Sequence, residues 1–240
     1  MDFRMKNKLK GKQTARTMKA LGIVFCSLAG YSFGEEVLPK NEEELTKGWQ
    51  WVRPQEGSHR FEEGTLSLKS WPGNIWKKGK AKNILLKPLQ EENVCITVKL
   101  TLQPEAHGEQ AGVFLYLDDD HYCKLVKEWF GGKINDHTIV SAREIDGAGE
   151  PLKVLPFNES TVVLRMVKQG RRVVSFVKGG DEDNFLLLSA AELPDKPEEE
   201  VKVALYSSGA KKDTDNWAEF HSLTIETIEA TADPLSFLKP

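Results

Sequence analysis

The side chains best suited to chemistry sit in three short runs. In 121–129, Tyr122, Lys124 and Glu128 alternate with Cys123 and Leu125. A period of two puts the first three on one face of a β-strand and the apolar pair on the other. Arg165 stands out of phase with Val162, Leu164 and Met166, and Tyr206 out of phase with Val201, Val203 and Leu205. Aromatic rings beside polar heads suit a polyhydroxylated ligand: the rings stack on its C–H faces while Lys, Arg and Glu exchange hydrogen bonds with its hydroxyls. If the three strands are neighbours, Tyr122, Lys124, Glu128, Arg165 and Tyr206 form one saccharide-binding patch. Trp71 and Trp76 flank a Pro-Gly-Asn loop and are expected to touch the ligand; Trp129 precedes Gly131-Gly132 and would line the same cleft. The competing account is the ordinary solvent side of an antiparallel sheet, knit by cross-strand pairs.

Other chemistries are weakly represented. Asp118-Asp119-Asp120 offers hard oxygen ligands of the kind calcium takes, but a site needs ligands from a second loop, and a solvated hairpin turn is the simpler account. No cofactor is expected otherwise. The five histidines (His59, His107, His121, His137, His221) lack metal-type spacing. Gly30-Tyr31-Ser32-Phe33-Gly34 has nucleophile-elbow spacing but follows no strand.

The elements that must position these residues are strands. Period-two runs cover 65–69, 83–87, 94–102, 111–117, 121–128, 138–145, 161–168, 172–177, 184–188, 201–207 and 220–228, separated by turns such as Gly131-Gly132, Asp146-Gly147 and Gly179-Gly180. About eleven strands at short spacing predict an all-β sandwich. Helix is expected only as short turns, after Asn41 and near Ser189. Cys95 and Cys123 are placed with one strand between them, about 10 Å apart and too far to bridge.

Charge divides the chain. Of 33 basic and 36 acidic residues, seven and one fall in 1–34, where they precede the apolar run from Ala20 to Ala29. Basic head, short apolar core and small residues at Ser32 and Gly34 read as a signal peptide cut before Glu35. The remainder then carries 26 basic against 35 acidic residues, a net of -9, which disfavours nucleic acid and anionic ligands and leaves no further membrane span. The expected organisation is signal peptide 1–34, lead-in 35–48, sandwich 49–228 and tail 229–240, in a secreted or periplasmic protein.

Further residues carry a resemblance. Trp49 and Trp51, Gly64-Thr65-Leu66-Ser67-Leu68 and Asn83-Ile84-Leu85-Leu86 come first, then Gly108-Glu109-Gln110-Ala111-Gly112-Val113, Leu115 to Asp120 and Tyr122-Cys123-Lys124-Leu125. Leu164-Arg165-Met166, Val203 to Gly209 and Ala218-Glu219-Phe220 follow. In this order they resemble an uncharacterised bacterial domain family related to the C-terminal domain of β-xylosidases, in the concanavalin A-like lectin/glucanase superfamily. The resemblance spans about 49–228 and implies a jelly-roll sandwich of two antiparallel sheets whose concave face binds carbohydrate. Relatives often carry an Asp-Gly turn and a Trp after the Leu-Arg strand; Gly179-Gly180-Asp181 lacks that Trp.

Glucanases of this fold use three carboxylates at alternate strand positions. Glu144-Ile145-Asp146 begins that pattern, but Ala148 stands at the third position and Asp146-Gly147 is a turn dipeptide, so the run reads as a charged strand end. The expected function is therefore binding of a neutral saccharide without cleavage. The alternatives are a hydrolase or lyase using Glu128, Glu109 or Asp120, and an envelope protein-interaction module using the outer faces or the tail.

Overall fold

A computed structural model describes residues 34–209 and 215–239; residues 1–33 of the expected signal segment 1–34 lie outside them. In chain order the described strands are β1 (Glu35–Glu36), β2 (Gln50–Val52), β3 (His59–Glu62), β4 (Thr65–Lys69), β5 (Ile84–Pro88), β6 (Asn93–Thr101), β7 (Gln110–Asp118) and β8 (His121–Phe130). They continue with β9 (Asp136–Ile145), β10 (Ala148–Pro156), β11 (Thr161–Gln169), β12 (Arg172–Gly179), β13 (Leu186–Glu192), β14 (Lys202–Ser208) and β15 (Trp217–Thr227). One helical turn, α1 (Glu42–Leu45), follows Asn41, whose side chain accepts the Glu44 N–H and caps it as Asn at that position should.

The strands form two antiparallel sheets. One has the order β13-β12-β11-β6-β15-β4-β3, with β1 also paired to β15; the other runs β10-β9-β8-β7-β14-β5-β2. Between them lies the main core, where Ile96, Val98, Leu100, Leu164, Met166 and Phe220 pack with Val113, Leu115, Cys123, Leu125, Val203 and Leu205. Alternation along each strand supplies this layer, since every second residue must leave water to cover the facing sheet.

Both outer faces are partly covered as well. On the seven-stranded sheet, the 70–83 loop brings Ile75, Trp76 and Ala81 onto Phe114, Tyr116, Tyr122, Val126, Val140 and Tyr206. On the eight-stranded sheet, Phe237 and Leu238 of the C-terminal segment lie on Cys95, Val163, Val167, Val174 and Phe176. The lead-in and tail therefore take part in the sandwich: Glu35 pairs with Ile225, and Leu238 accepts the Phe185 N–H.

Three expectations need correction. Residues 148–156 form an edge strand despite Pro151 and Pro156, because the β10–β9 ladder shifts register between Pro151 and Lys153, the kind of irregularity that lets proline join an edge. The segment around Ser189 is strand, not helix, held by its pairing with β12. Cys95 and Cys123 are free, but they lie on different sheets, with no single intervening strand between them.

Candidate functional site

The seven-stranded sheet carries the site. Strand β8 turns Tyr122, Lys124, Val126 and Glu128 outward, and β14 brings Tyr206 to the same face, where Tyr206 pairs with Gly112 and Gly112 with Val126. Gly112 is required there: a Cβ would stand 2.2 Å from the Leu125 carbonyl oxygen. Phe114 stacks on Tyr122 at 5.1–5.2 Å from its two ring neighbours, Tyr122 and Tyr206. Parity thus puts these residues on one face as expected, but Tyr122 and Tyr206 are fully buried in it and line no cavity.

The face is not open. The 70–83 loop crosses it and is tied at several points. Gly209 N–H donates to the Trp71 carbonyl (2.9 Å), the Ser208 hydroxyl to the Gly73 carbonyl and Arg53 Nε to the Ala81 carbonyl (2.6 Å). In the middle, Glu144 accepts from the Lys77 N–H (2.9 Å), the Lys78 N–H (3.0 Å) and the Tyr122 hydroxyl (2.7 Å). Lys77 and Lys78 both take positive φ (54° and 65°), a conformation costing non-glycine residues about 1–2 kcal/mol each. Burial, and secondly the bond to Glu144, drives the Tyr122 phenol far above its ordinary range.

What remains open is a cavity of about 220 Å³. The sheet contributes Gln110, Lys124, Glu128, Phe130, Val140 and Ala142; the loop contributes Asn74 and Trp76; Gly108 and Pro151 complete the wall. Lys124 is 4% exposed and Glu128 9%. Lys124 Nζ donates to Gln110 Oε1 at 2.7 Å, lies 3.8 Å from Glu128 Oε2 and sits 5.1 Å from the Trp76 ring centre. Burial pulls the Lys124 ammonium down and pushes the Glu128 carboxyl up, against their mutual attraction. Trp76 is seated on Gly149 of β10, where a Cβ would meet the indole at 2.5 Å.

Other expected site residues lie elsewhere. Arg165 belongs to β11 of the opposite sheet and faces that sheet's own outer side. There its Nη1 donates to the carbonyls of Phe237 (2.7 Å) and Lys239 (3.0 Å), its Nε donates to Thr97, and the guanidinium lies 3.9 Å from the Phe185 ring. Parity separates inner from outer positions but cannot say to which sheet a strand belongs. Trp129 packs between His107 and His137 and does not line the cavity, because its position alternates with Glu128. Trp71 stays at the start of the loop, outside the lining.

The acidic turn is engaged by protein cations. Asp118 accepts from His121 and Lys196 (both 2.7 Å), and Asp119 accepts two bonds from Arg53 (2.7 and 2.8 Å) and one from Tyr116. Among the described residues no group of three or more His, Cys, Asp or Glu is placed to hold a metal ion. Gln110, Asn74 and Phe130 are cavity residues that the sequence reading passed over, and Glu144, read there only as a charged strand end, is fully buried and bonded to the loop. Gln110 shares its face with Phe114 and Tyr116 by the same period of two, which was available to find it.

The profile of the β-xylosidase C-terminal concanavalin A-like domain matches residues 41–226. The chain belongs to this family. Its two antiparallel sheets are a sandwich of the concanavalin A-like kind. A GH43 protein of Bacillus licheniformis, BlXynB in a mutant form, is similar in structure at a TM-score of 0.68 and 18% identity, over 75% of this chain and 37% of that one. A GH43 protein from a Bacteroides ovatus xyloglucan locus superposes at 0.67 and 18% identity, over 85% of this chain and 42% of that one. The alginate lyase Aly36B superposes at 0.55 and 9% identity, over 75% of this chain and 87% of that one. This chain therefore spans about 37–42% of the length of the two GH43 proteins. A search of curated proteins returned no match.

Proposed function

We propose that the protein is an exported saccharide-binding domain that takes one sugar ring of a neutral glycan into the cavity beside Trp76 and does not cleave it. The observation that carries this reading is the Lys124–Glu128–Gln110 cluster, buried at the cavity under an indole. Such a cluster offers donors and acceptors for vicinal hydroxyls, and the indole offers a stacking face. Membership in a carbohydrate-related family supports the ligand class. Size supports a single ring, because about 220 Å³ falls below the ~300–1,000 Å³ usual for drug-sized ligands. Charge supports a neutral ring: a uronate would bring a second anion to a buried Glu128 that Lys124 already has to balance.

Binding without cleavage is favoured by the fate of the other carboxylates. Glu109 is buried in a turn, accepting the Glu105 and Ala106 N–H groups, and Glu144 is committed to the loop. Among the described residues Glu128 is the one carboxylate in the cavity lining, whereas glycoside hydrolysis ordinarily needs two facing the bond. Export rests on the basic and apolar pattern of 1–34. N-terminal sequencing of protein recovered from outside the cytoplasm should then begin at Glu35.

The binding test is calorimetric titration of residues 35–240 with xylose, arabinose, glucose, galactose, glucuronate and their short oligomers, with product analysis alongside. The expected result is binding of a neutral sugar, weakened about tenfold or more by Glu128→Gln and by Trp76→Ala. Absence of binding across the panel, or affinity unchanged in both variants, overturns the reading. Release of cleavage products abolished by Glu128→Gln would make the protein an enzyme instead.

A further inference from the structure

We infer that Glu144 is the positioning residue of the cavity: it latches the 70–83 loop through the Lys77 and Lys78 amides and so holds Trp76 at the ligand. Its function rests on the saccharide reading above; its geometry does not. Glu144 is fully buried, on the face of β9 that also carries Val140 and Ala142 of the cavity wall. Each carboxylate oxygen takes one consecutive backbone N–H of the loop, and Tyr122 adds a third bond from the sheet.

The residue immediately before that pair of amides is Trp76. Two consecutive lysines in the left-handed region are a conformation the loop would leave if untied, since neither residue type favours it. The paired amides point into one carboxylate only while that conformation holds. Latch, backbone conformation and indole position are therefore one device, completed by the Gly149 seat on the far side of the ring. Glu144 is fully buried and absent from the cavity lining, so it does not itself reach a ligand there. Its effect on binding is exerted through Trp76.

Glu144→Gln is the decisive variant. Whichever way the amide turns, its NH2 group meets one of the two loop N–H groups, so one latch bond is lost and the other kept. Hydrogen exchange followed residue by residue should show the Lys77 and Lys78 amides opening about tenfold faster or more, while the amides of β8 and β9 keep their protection. The fluorescence of Trp76, taken as the difference between each protein and its Trp76→Phe counterpart, should move to the red and become more accessible to acrylamide. A residue that merely supported the sheet would instead speed exchange across β9 and leave the Trp76 difference in place.

Unchanged Lys77 and Lys78 exchange in the variant, or an unchanged Trp76 signal, overturns the inference. If Glu144→Gln does not fold, the unaltered protein still decides: its Lys77 and Lys78 amides must exchange about tenfold more slowly than that of Lys80, and equal rates overturn the latch. Gly149→Ala gives the opposite dissection, displacing Trp76 while the two amides stay protected; loss of their protection there would also count against the latch. None of these measurements uses a sugar, so failure of the saccharide reading is seen separately, in the titrations.

Discussion

Removing the cation from the cavity gives the sharpest energetic test. Lys124→Met leaves the Glu128 carboxyl buried beside Gln110 with no positive partner. The cost is bounded, because the orphaned group takes up a proton once staying charged becomes dearer. Each pH unit above its ordinary pKa of 4.5 then costs about 1.36 kcal/mol, giving a ceiling of about 3.4 kcal/mol at pH 7 and about 0.7 kcal/mol at pH 5. The sign follows from proton binding. With its pKa raised in the folded state, Glu128 holds more protons there than in the unfolded chain, so the variant loses stability as pH rises from about 4.5. Glu128→Leu removes the main counter-charge of Lys124 instead, leaving Glu144, with a ceiling of about 4.8 kcal/mol at pH 7 that shrinks as pH rises toward 10.5. The double variant Lys124→Met/Glu128→Leu removes both charges and should stay within about 1 kcal/mol of the unaltered protein, because a buried pair offsets little more than its own desolvation. Urea denaturation at pH 5, 7 and 9 measures all three. A pH-independent loss in Lys124→Met, or a double variant as unstable as the two single losses combined, refutes the reasoning. The same double variant should have lost its saccharide, which would show the pair is kept for binding rather than stability.

Three other outcomes are expected. Burial holds the Lys127 ammonium down to about 8, so between about 8 and 10.5 the unfolded chain binds the extra proton and stability rises with pH; Lys127→Met should flatten that rise in thermal melts. Arg165→Met forfeits charge-assisted bonds to Phe237 and Lys239 and should cost about 2 kcal/mol in denaturation, with sugar affinity unaltered; reduced affinity at full stability would return Arg165 to the site. Tyr122→Phe removes a hydroxyl from a buried carboxylate and should cost about 1.5–3 kcal/mol by the same assay, with a loss under about 0.5 kcal/mol counting against the latch geometry.

The sandwich was legible from periodicity because each central strand has one face in a continuous apolar layer. Val94 to Leu102 and Val113 to Leu117 spell that out residue by residue. Strand β10 was not legible: as an edge it answers to a single neighbour, and Ala148-Gly149-Glu150-Pro151 carries no apolar alternation. Parity put Tyr122, Lys124, Glu128 and Tyr206 on one face, of which only Lys124 and Glu128 line the cavity while both tyrosines are buried outside the lining, and it misplaced Arg165. Inner and outer are local properties of a strand, whereas sheet membership depends on pairings made across 68 positions of separation, as between Arg165 and Thr97. The role of Glu144, read as a charged strand end, was missed for a related reason. Its partners are backbone amides, which every residue owns, so no side-chain pattern announces them.

The placement of β15 has a consequence for how the protein is made. The last described strand, Trp217–Thr227, inserts between β6 and β4, and it also receives β1 from the start of the described residues. Until residue 227 has left the ribosome, β6 and β4 each show an unpaired edge, and the eight-stranded sheet is two fragments. Strand β14 holds β7 to β5 in the same late fashion. Such long-range closure makes folding slow and nearly all-or-none, and it keeps a growing chain loose until synthesis is almost complete. A premature stop before Trp217 would therefore yield no smaller working sandwich, only exposed strand edges ready to pair with other chains.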